Sequence, residues 1–228
     1  MEPAQLLTLA NRIEGLCCPE DCFTLYSLLK NIEAKGVAVE IGSFKGRVTV
    51  CLARALEEKN EGHLYTVDAD LLKIRSNLLK NIEGYGLKKW VTPVFSFSAI
   101  ANRGWSKPIN FLWLDTDGNY FSWLADFLLW EPHVVEGGIV ALSGASTFST
   151  ERILKKYIIG SGRFHDIIRS GSILFAYKGK QAKAYPAFKA IYIRTLSLCY
   201  CLFRKFIYNL KKCFLPSVKI GFLCLYII

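Results

Sequence analysis

Three acids in this chain each close a short apolar run. Glu40 follows Val37-Ala38-Val39, Asp68 follows Leu64-Tyr65-Thr66-Val67, and Asp115 follows Asn110-Phe111-Leu112-Trp113-Leu114. Glu40 also opens the loop Glu40-x-Gly42-x-x-x-Gly46, whose glycines and Ser43 bring free backbone N–H groups close to anything bound there. The loop lacks the three glycines of a dinucleotide fingerprint, and no Gly-Lys-Ser/Thr follows to make a phosphate-binding P-loop. An acid before the first glycine repels a pyrophosphate but suits a cationic amino group, while Asp68 can accept hydrogen bonds from two ribose hydroxyls. Together they describe a ligand built like an aminoacyl-nucleoside. Asp115 and Asp117 are the candidate catalytic pair: burial of Asp115 would raise its pKa toward that of a useful base, with Asp117 assisting. His63, His133 and His165 fall in a turn, after a helix beside Pro132 and in the closing hairpin, and read as surface or structural groups.

These acids need strands behind them and helices between them. Residues 37–177 alternate apolar runs with helical periodicities, which calls for a mostly parallel sheet covered on both sides, with ligands beyond the strand ends Glu40, Asp68, Phe95, Asp115 and Leu142. Pro93 marks the third strand as an edge. Gly137-Gly138 reads as a turn before a fifth strand Ile139–Leu142, and Ser149 or Thr150 as the cap of a helix running to Ile159. Phe164–Ile168 and Ser172–Tyr177 form a closing antiparallel pair joined at Gly171. Two helices precede the sheet, the second opened by Pro19 with Glu20 and Asp21 in its first turn, and pack on the sheet or cover the site. The hexapeptide Leu28–Glu33 recurs as Leu78–Glu83 without a third copy, which indicates two helices with similar jobs rather than a repeat architecture.

The domain organisation is therefore 1–36 as leading helices, 37–178 as the ligand-binding domain, and 179–228 as a basic, hydrophobic tail. The 228 residues carry a net charge of +10, yet residues 169–228 contain 11 Lys and Arg and no acid, so the charge belongs to the tail. On a helical projection Arg194, Arg204, Lys205, Lys211 and Lys212 share one side, opposite an apolar remainder. No stretch approaches the roughly 20 apolar residues of a membrane span, so residues 184–228 suit an anionic membrane surface rather than a crossing. A second subunit, giving a homo-oligomer, is the alternative partner. Nucleic acid is disfavoured, because the basic residues are concentrated and no stacking platform accompanies them. Cysteine content without a secretory leader points to reduced thiols and a cytoplasmic protein whose tail reaches the membrane.

Five stretches in order resemble the class I S-adenosylmethionine-dependent methyltransferases, and most closely their small O-methyltransferase-like group. They are Val39–Arg47, Tyr65–Asp68, Phe111–Tyr120 with Asp126 beyond it, Gly137–Leu142, and the closing hairpin Phe164–Tyr177. The resemblance implies a Rossmann-like sheet, mostly parallel with a C-terminal antiparallel strand pair, and S-adenosyl-L-methionine as cofactor. By that resemblance Gly42, Ser43 and Gly46 wrap the methionine portion, Glu40 faces its amino group directly or through water, and Asp68 holds the ribose. Phe97 or Ser98 lies near the adenine, and Asp115 belongs to both the cofactor and catalytic sets. The implied function is methylation of an oxygen on a small molecule or glycan. The chain departs from the family at Thr116 and Gly118 after the fourth strand, and at Ser143-Gly144 after the fifth, where the family carries a His-Asp or similar pair. Those departures disfavour a metal site and give weight to a second reading, a weakly active or inactive binding protein at a membrane. A nicotinamide-dependent oxidoreductase is argued against by the two-glycine loop and Glu40.

Overall fold

The computed structural model describes residues 1–70, 74–116, 119–145 and 147–179; Asp117 and the tail therefore lie outside the described residues. The chain opens with α1 (Pro3–Asn11) and α2 (Pro19–Asn31), each started by a proline that loses no hydrogen bond at the first helical position. There follow β1 (Val37–Ile41), α3 (Arg47–Lys59), β2 (Leu64–Asp68), α4 (Arg75–Gly84), β3 (Val91–Phe95), α5 (Ser98–Ala101) and β4 (Ile109–Leu114). α6 (Tyr120–Trp130), β5 (Val134–Leu142), α7 (Phe148–Ile153), β6 (Phe164–Ser170) and β7 (Ile173–Lys178) complete the described fold.

The seven strands form one sheet in the order β3-β2-β1-β4-β5-β7-β6. β1 to β5 pair in parallel, whereas β7 lies antiparallel to both β5 and β6. The order reverses beside β1, so the crevice beyond the carboxyl ends of β1 and β4 is where a doubly wound sheet receives a ligand. β4 is buried along its whole length, as its apolar run Phe111–Leu114 requires, and the buried Asn110 amide donates to the Ala34 carbonyl at 3.0 Å. Pro93 does sit on an edge strand, β3.

Two local expectations are corrected. Gly137 and Gly138 lie inside β5, where the register against β4 shifts between Ile109↔Val134 and Phe111↔Ile139. Gly137 takes φ +75° there, the same backbone demand that a turn makes. The cap before α7 is Thr147, whose hydroxyl accepts from the Thr150 amide at 3.3 Å, rather than Ser149 or Thr150. α7 then widens into π-helical turns over Leu154–Ile159.

The two leading helices share one apolar core with α3 and the sheet, Leu6, Leu25 and Leu29 packing in the same cluster as Val50, Phe111 and Phe175. α2 is tied to α3 by Lys59 Nζ donating to the Ile32 carbonyl, and to the β6–β7 turn by Ser172 donating to Asp21. The repeated hexapeptide buries its isoleucine in both copies but a different leucine in each. Leu29 and Ile32 are interior in α2 and its C-cap, Leu78 and Ile82 in α4, while Leu79 is 39% exposed. Among the described residues, no helix is long and apolar enough to cross a membrane.

Candidate active site

The crevice is built on Gly42. Its φ is +92°, and a Cβ there would lie 2.2 Å from the Asp115 carbonyl oxygen, so only glycine lets the β1 exit pass the β4 exit. The Gly42 amide continues the sheet by donating to Val67 O at 2.9 Å. Gly46, at φ +91°, precedes α3 and packs so closely on Leu78 that a Cβ would meet its Cδ1 at 2.7 Å.

Between these glycines the loop turns its amides toward β2. Asp68 Oδ2 accepts from the amides of Ser43 at 3.1 Å and Phe44 at 3.0 Å, and Oδ1 accepts from the Asp70 amide at 2.8 Å. Asp68 is half-buried, and Oδ1, with one amide bound, keeps acceptor capacity, whereas Oδ2 is filled by the two loop amides. Loop and strand end thus arrive pre-assembled.

For Glu40, expected to face the ligand's amino group directly or through water, the structure gives a fully buried carboxyl. Its Oε2 accepts from Thr49 on α3 and Thr66 on β2, each at 2.6 Å. Thr66 is its register partner across the β1–β2 pairing, which places the two side chains on the same side of the sheet. Oε1 has no partner among the described residues. Burial pushes the carboxyl up to about 8, against the two threonine hydroxyls, which favour the charged form. Glu40 thus links β1 to α3 and to β2 from a fully buried position.

Asp115 stands at the carboxyl end of β4, and Ser143 at that of β5 donates its hydroxyl to Asp115 Oδ1 at 2.5 Å. Burial raises the Asp115 pKa, and the Ser143 hydroxyl opposes that rise. Ser143 is the residue that sequence reasoning treated only as a departure. Its partnership spans 28 positions and follows from β4 and β5 being neighbours. Thr49 and Thr66 were also missed; their signal is a polar residue within an otherwise apolar buried run.

At the end of β3, Phe97 is 56% exposed and caps α5. Ser98 donates its hydroxyl to Asp126 on α6, so its polar group is already engaged. The structure therefore brings Gly42, Ser43, Gly46, Asp68 and Asp115 around one crevice, with Phe97 and Ser98 at the same sheet edge. Asp117 lies outside the described residues. The three histidines sit at the opposite edge: His63 just before β2, His133 just before β5, and His165 near the start of β6.

A linker, residues 12–18, lies over the glycine loop. Arg47 Nε donates to Ile13 O at 2.7 Å and its Nη1 to Cys17 O at 2.6 Å, while Lys45 pairs with Glu14 at 2.6 Å. Among the described residues no cluster of three or more His, Cys, Asp or Glu is placed to hold a metal ion.

The donor set fits S-adenosylmethionine in kind: a glycine floor that admits close backbone approach, a half-buried carboxylate at the second strand end, and no phosphate cradle. Residues 39–143 match the family model of a methyltransferase domain. Solved structures similar to this chain include the O-methyltransferase NovP, 13% identical with a TM-score of 0.61 over 72% of this chain and 81% of that one. An O-methyltransferase from Bacillus cereus in complex with SAH is 19% identical, with a TM-score of 0.59 over 77% and 89%. CalS11, a TDP-rhamnose 3'-O-methyltransferase, is 12% identical, with a TM-score of 0.56 over 77% and 92%. At these identities the likeness establishes the fold.

Proposed function

We propose that this chain, a class I methyltransferase by its sheet order and by the family match over residues 39–143, transfers a methyl group from S-adenosylmethionine to an oxygen of a small molecule or glycan. The observation that carries the reading is the close passage of Gly42 over the Asp115 carbonyl beside the amides fixed by Asp68. S-adenosylmethionine, when bound, supplies an electrophilic methyl group on a sulfonium. Gly42, Ser43 and Gly46 would hold its methionine portion and Asp68 its ribose hydroxyls. Phe97 offers an exposed ring to the adenine. The O-methyltransferase neighbours named above, one of them bound to SAH and one acting on TDP-rhamnose, support the cofactor and the acceptor class.

Asp115 is the acceptor-side group. Its Oδ1 is held by Ser143, and Oδ2 can accept the proton of an acceptor hydroxyl or orient that hydroxyl for in-line attack. The raised pKa makes it a stronger base than an exposed aspartate. Asp117, two residues on, is assigned to assist. Calorimetric titration with S-adenosylmethionine tests the cofactor; absence of binding would end the methyltransferase reading. Turnover against phenols and glycans then tests the reaction.

Ser143-Gly144 at the end of β5 favours a second reading, a binding protein with weak or no turnover, which cofactor binding without methyl transfer to any acceptor would support. The basic tail is assigned to an anionic membrane surface. Flotation with liposomes, compared with a chain ending at residue 183, tests this; flotation that survives the truncation would refute it.

A further inference from the structure

Beside the crevice, at the carboxyl ends of β4 and β5, stands a cluster that the cofactor does not account for. Arg152 on α7 lays its guanidinium 4.1 Å from the ring centre of Tyr120, the first residue of α6, and 5.4 Å from that of Phe148. Phe121 stands edge-on to Tyr120 at 5.5 Å. Phe121 and Phe148 are 75% and 72% exposed, an expensive presentation of apolar rings to water unless something covers them.

Among the described residues no carboxylate neutralises the cation between the rings, and Glu151, the neighbour of Arg152, is committed to Arg169 and Lys155. Aromatic faces hold a guanidinium flat and strip water from its faces, but they satisfy none of its N–H donors. Arg152 is exposed and forms no hydrogen bond among the described residues, so its five donors are available to a ligand. The cluster is also tied to the reacting end of the sheet: Thr150, on the same short helix, donates its hydroxyl to Ser143 O at 3.2 Å, and Ser143 in turn holds Asp115.

We infer that Tyr120, Phe121, Phe148 and Arg152 form an acceptor subsite for a ring-bearing molecule that carries an anionic group, a carboxylate or phosphate bound by Arg152 while the ring lies on Phe121 or Phe148. The inference rests on the methyl-transfer reading only in calling this ligand the acceptor. Arg152 is a specificity-determining residue here and takes no part in the chemistry.

The test is calorimetry on the full chain with matched probes, with and without saturating S-adenosylhomocysteine: thymidine against thymidine 5'-diphosphate, and catechol against 3,4-dihydroxybenzoate. The anionic member of at least one pair should bind tenfold or more tighter than its neutral partner. Arg152→Gln should abolish that difference while leaving the melting temperature and S-adenosylhomocysteine affinity unchanged, and at least one of Phe121→Ala and Phe148→Ala should weaken both members of the pair. Preference confined to the diphosphate assigns the anion as phosphate, and preference confined to the benzoate assigns it as carboxylate. Equal affinities within both pairs, no binding by either anion, or a preference that survives Arg152→Gln would overturn the inference. Failure of S-adenosylhomocysteine to bind would count against the methyltransferase reading instead, and the anion comparison made without it still decides this subsite.

Discussion

Replacing Glu40 with glutamine should remove a pH dependence from the stability of the fold. In the folded chain the Glu40 carboxyl titrates near 8, whereas an unperturbed glutamate titrates near 4.5. Between those values the folded state holds a proton that the unfolded state has released. Stability therefore falls as pH rises through this window and levels off above the folded pKa. Integrating that difference, wild type relative to an always-neutral side chain loses about 1 kcal/mol at pH 5, about 3 kcal/mol at pH 7 and about 5 kcal/mol at pH 9. Glutamine is a fair reference. Its carbonyl can accept from Thr49 and Thr66 as Oε2 does, and its amide would occupy the place of Oε1, which is equally unpartnered when protonated. Urea denaturation of both proteins at pH 5, 7 and 9 measures the effect. Glu40→Gln should be close to wild type at pH 5 and more stable by several kcal/mol at pH 9. Parallel stability curves, or a variant that loses ground as pH rises, would refute the placement of a neutral, buried carboxyl at Glu40.

Gly42→Ala should be among the most damaging single substitutions, since the new Cβ meets the Asp115 carbonyl at 2.2 Å in a left-handed backbone; a loss of about 3 kcal/mol or more is expected by thermal unfolding, together with loss of S-adenosylmethionine binding by calorimetry. Asp68→Asn leaves one carbonyl oxygen for the Ser43, Phe44 and Asp70 amides, so about 1–3 kcal/mol of stability should go. Cofactor affinity should fall with it, and titration at unchanged affinity would remove Asp68 from the site. Ser143→Ala takes away the hydroxyl that favours the charged form of Asp115, so the Asp115 pKa should rise further. If Asp115 acts as base, the acidic limb of the rate–pH profile then moves to higher pH, and an unmoved limb would remove Asp115 from that role.

The strand ends could be read from the chain because an apolar run closed by an acid is a local signal: Asp68 ends β2, and Asp115 follows β4 by one residue. The crevice residues Gly42, Ser43 and Gly46 came with the first of those ends. What the sequence left undecided were choices among equivalent local solutions. A glycine pair with one positive φ serves a turn or a strand bulge alike, and Gly137-Gly138 proved to be the bulge. Thr147, Ser149 and Thr150 could each cap a helix, and only the path of the chain from Gly144 selects Thr147. The direction of the Glu40 carboxylate was also out of reach, because it is set by Thr49 and Thr66 on two other elements, nine and 26 positions away. Ser143 likewise acquires its meaning from strand order rather than from its neighbours in sequence.

The two bonds from Arg47 to the carbonyls of Ile13 and Cys17 join the leading helices to the floor of the crevice. Those helices also contribute to the same core as α3. The first 30 or so residues and the glycine loop should therefore open and close as one cooperative unit in native-state hydrogen exchange. A cofactor that holds the loop would then slow amide exchange in α1 and α2, helices it need not touch, and its rate of departure would be limited by how often that unit opens.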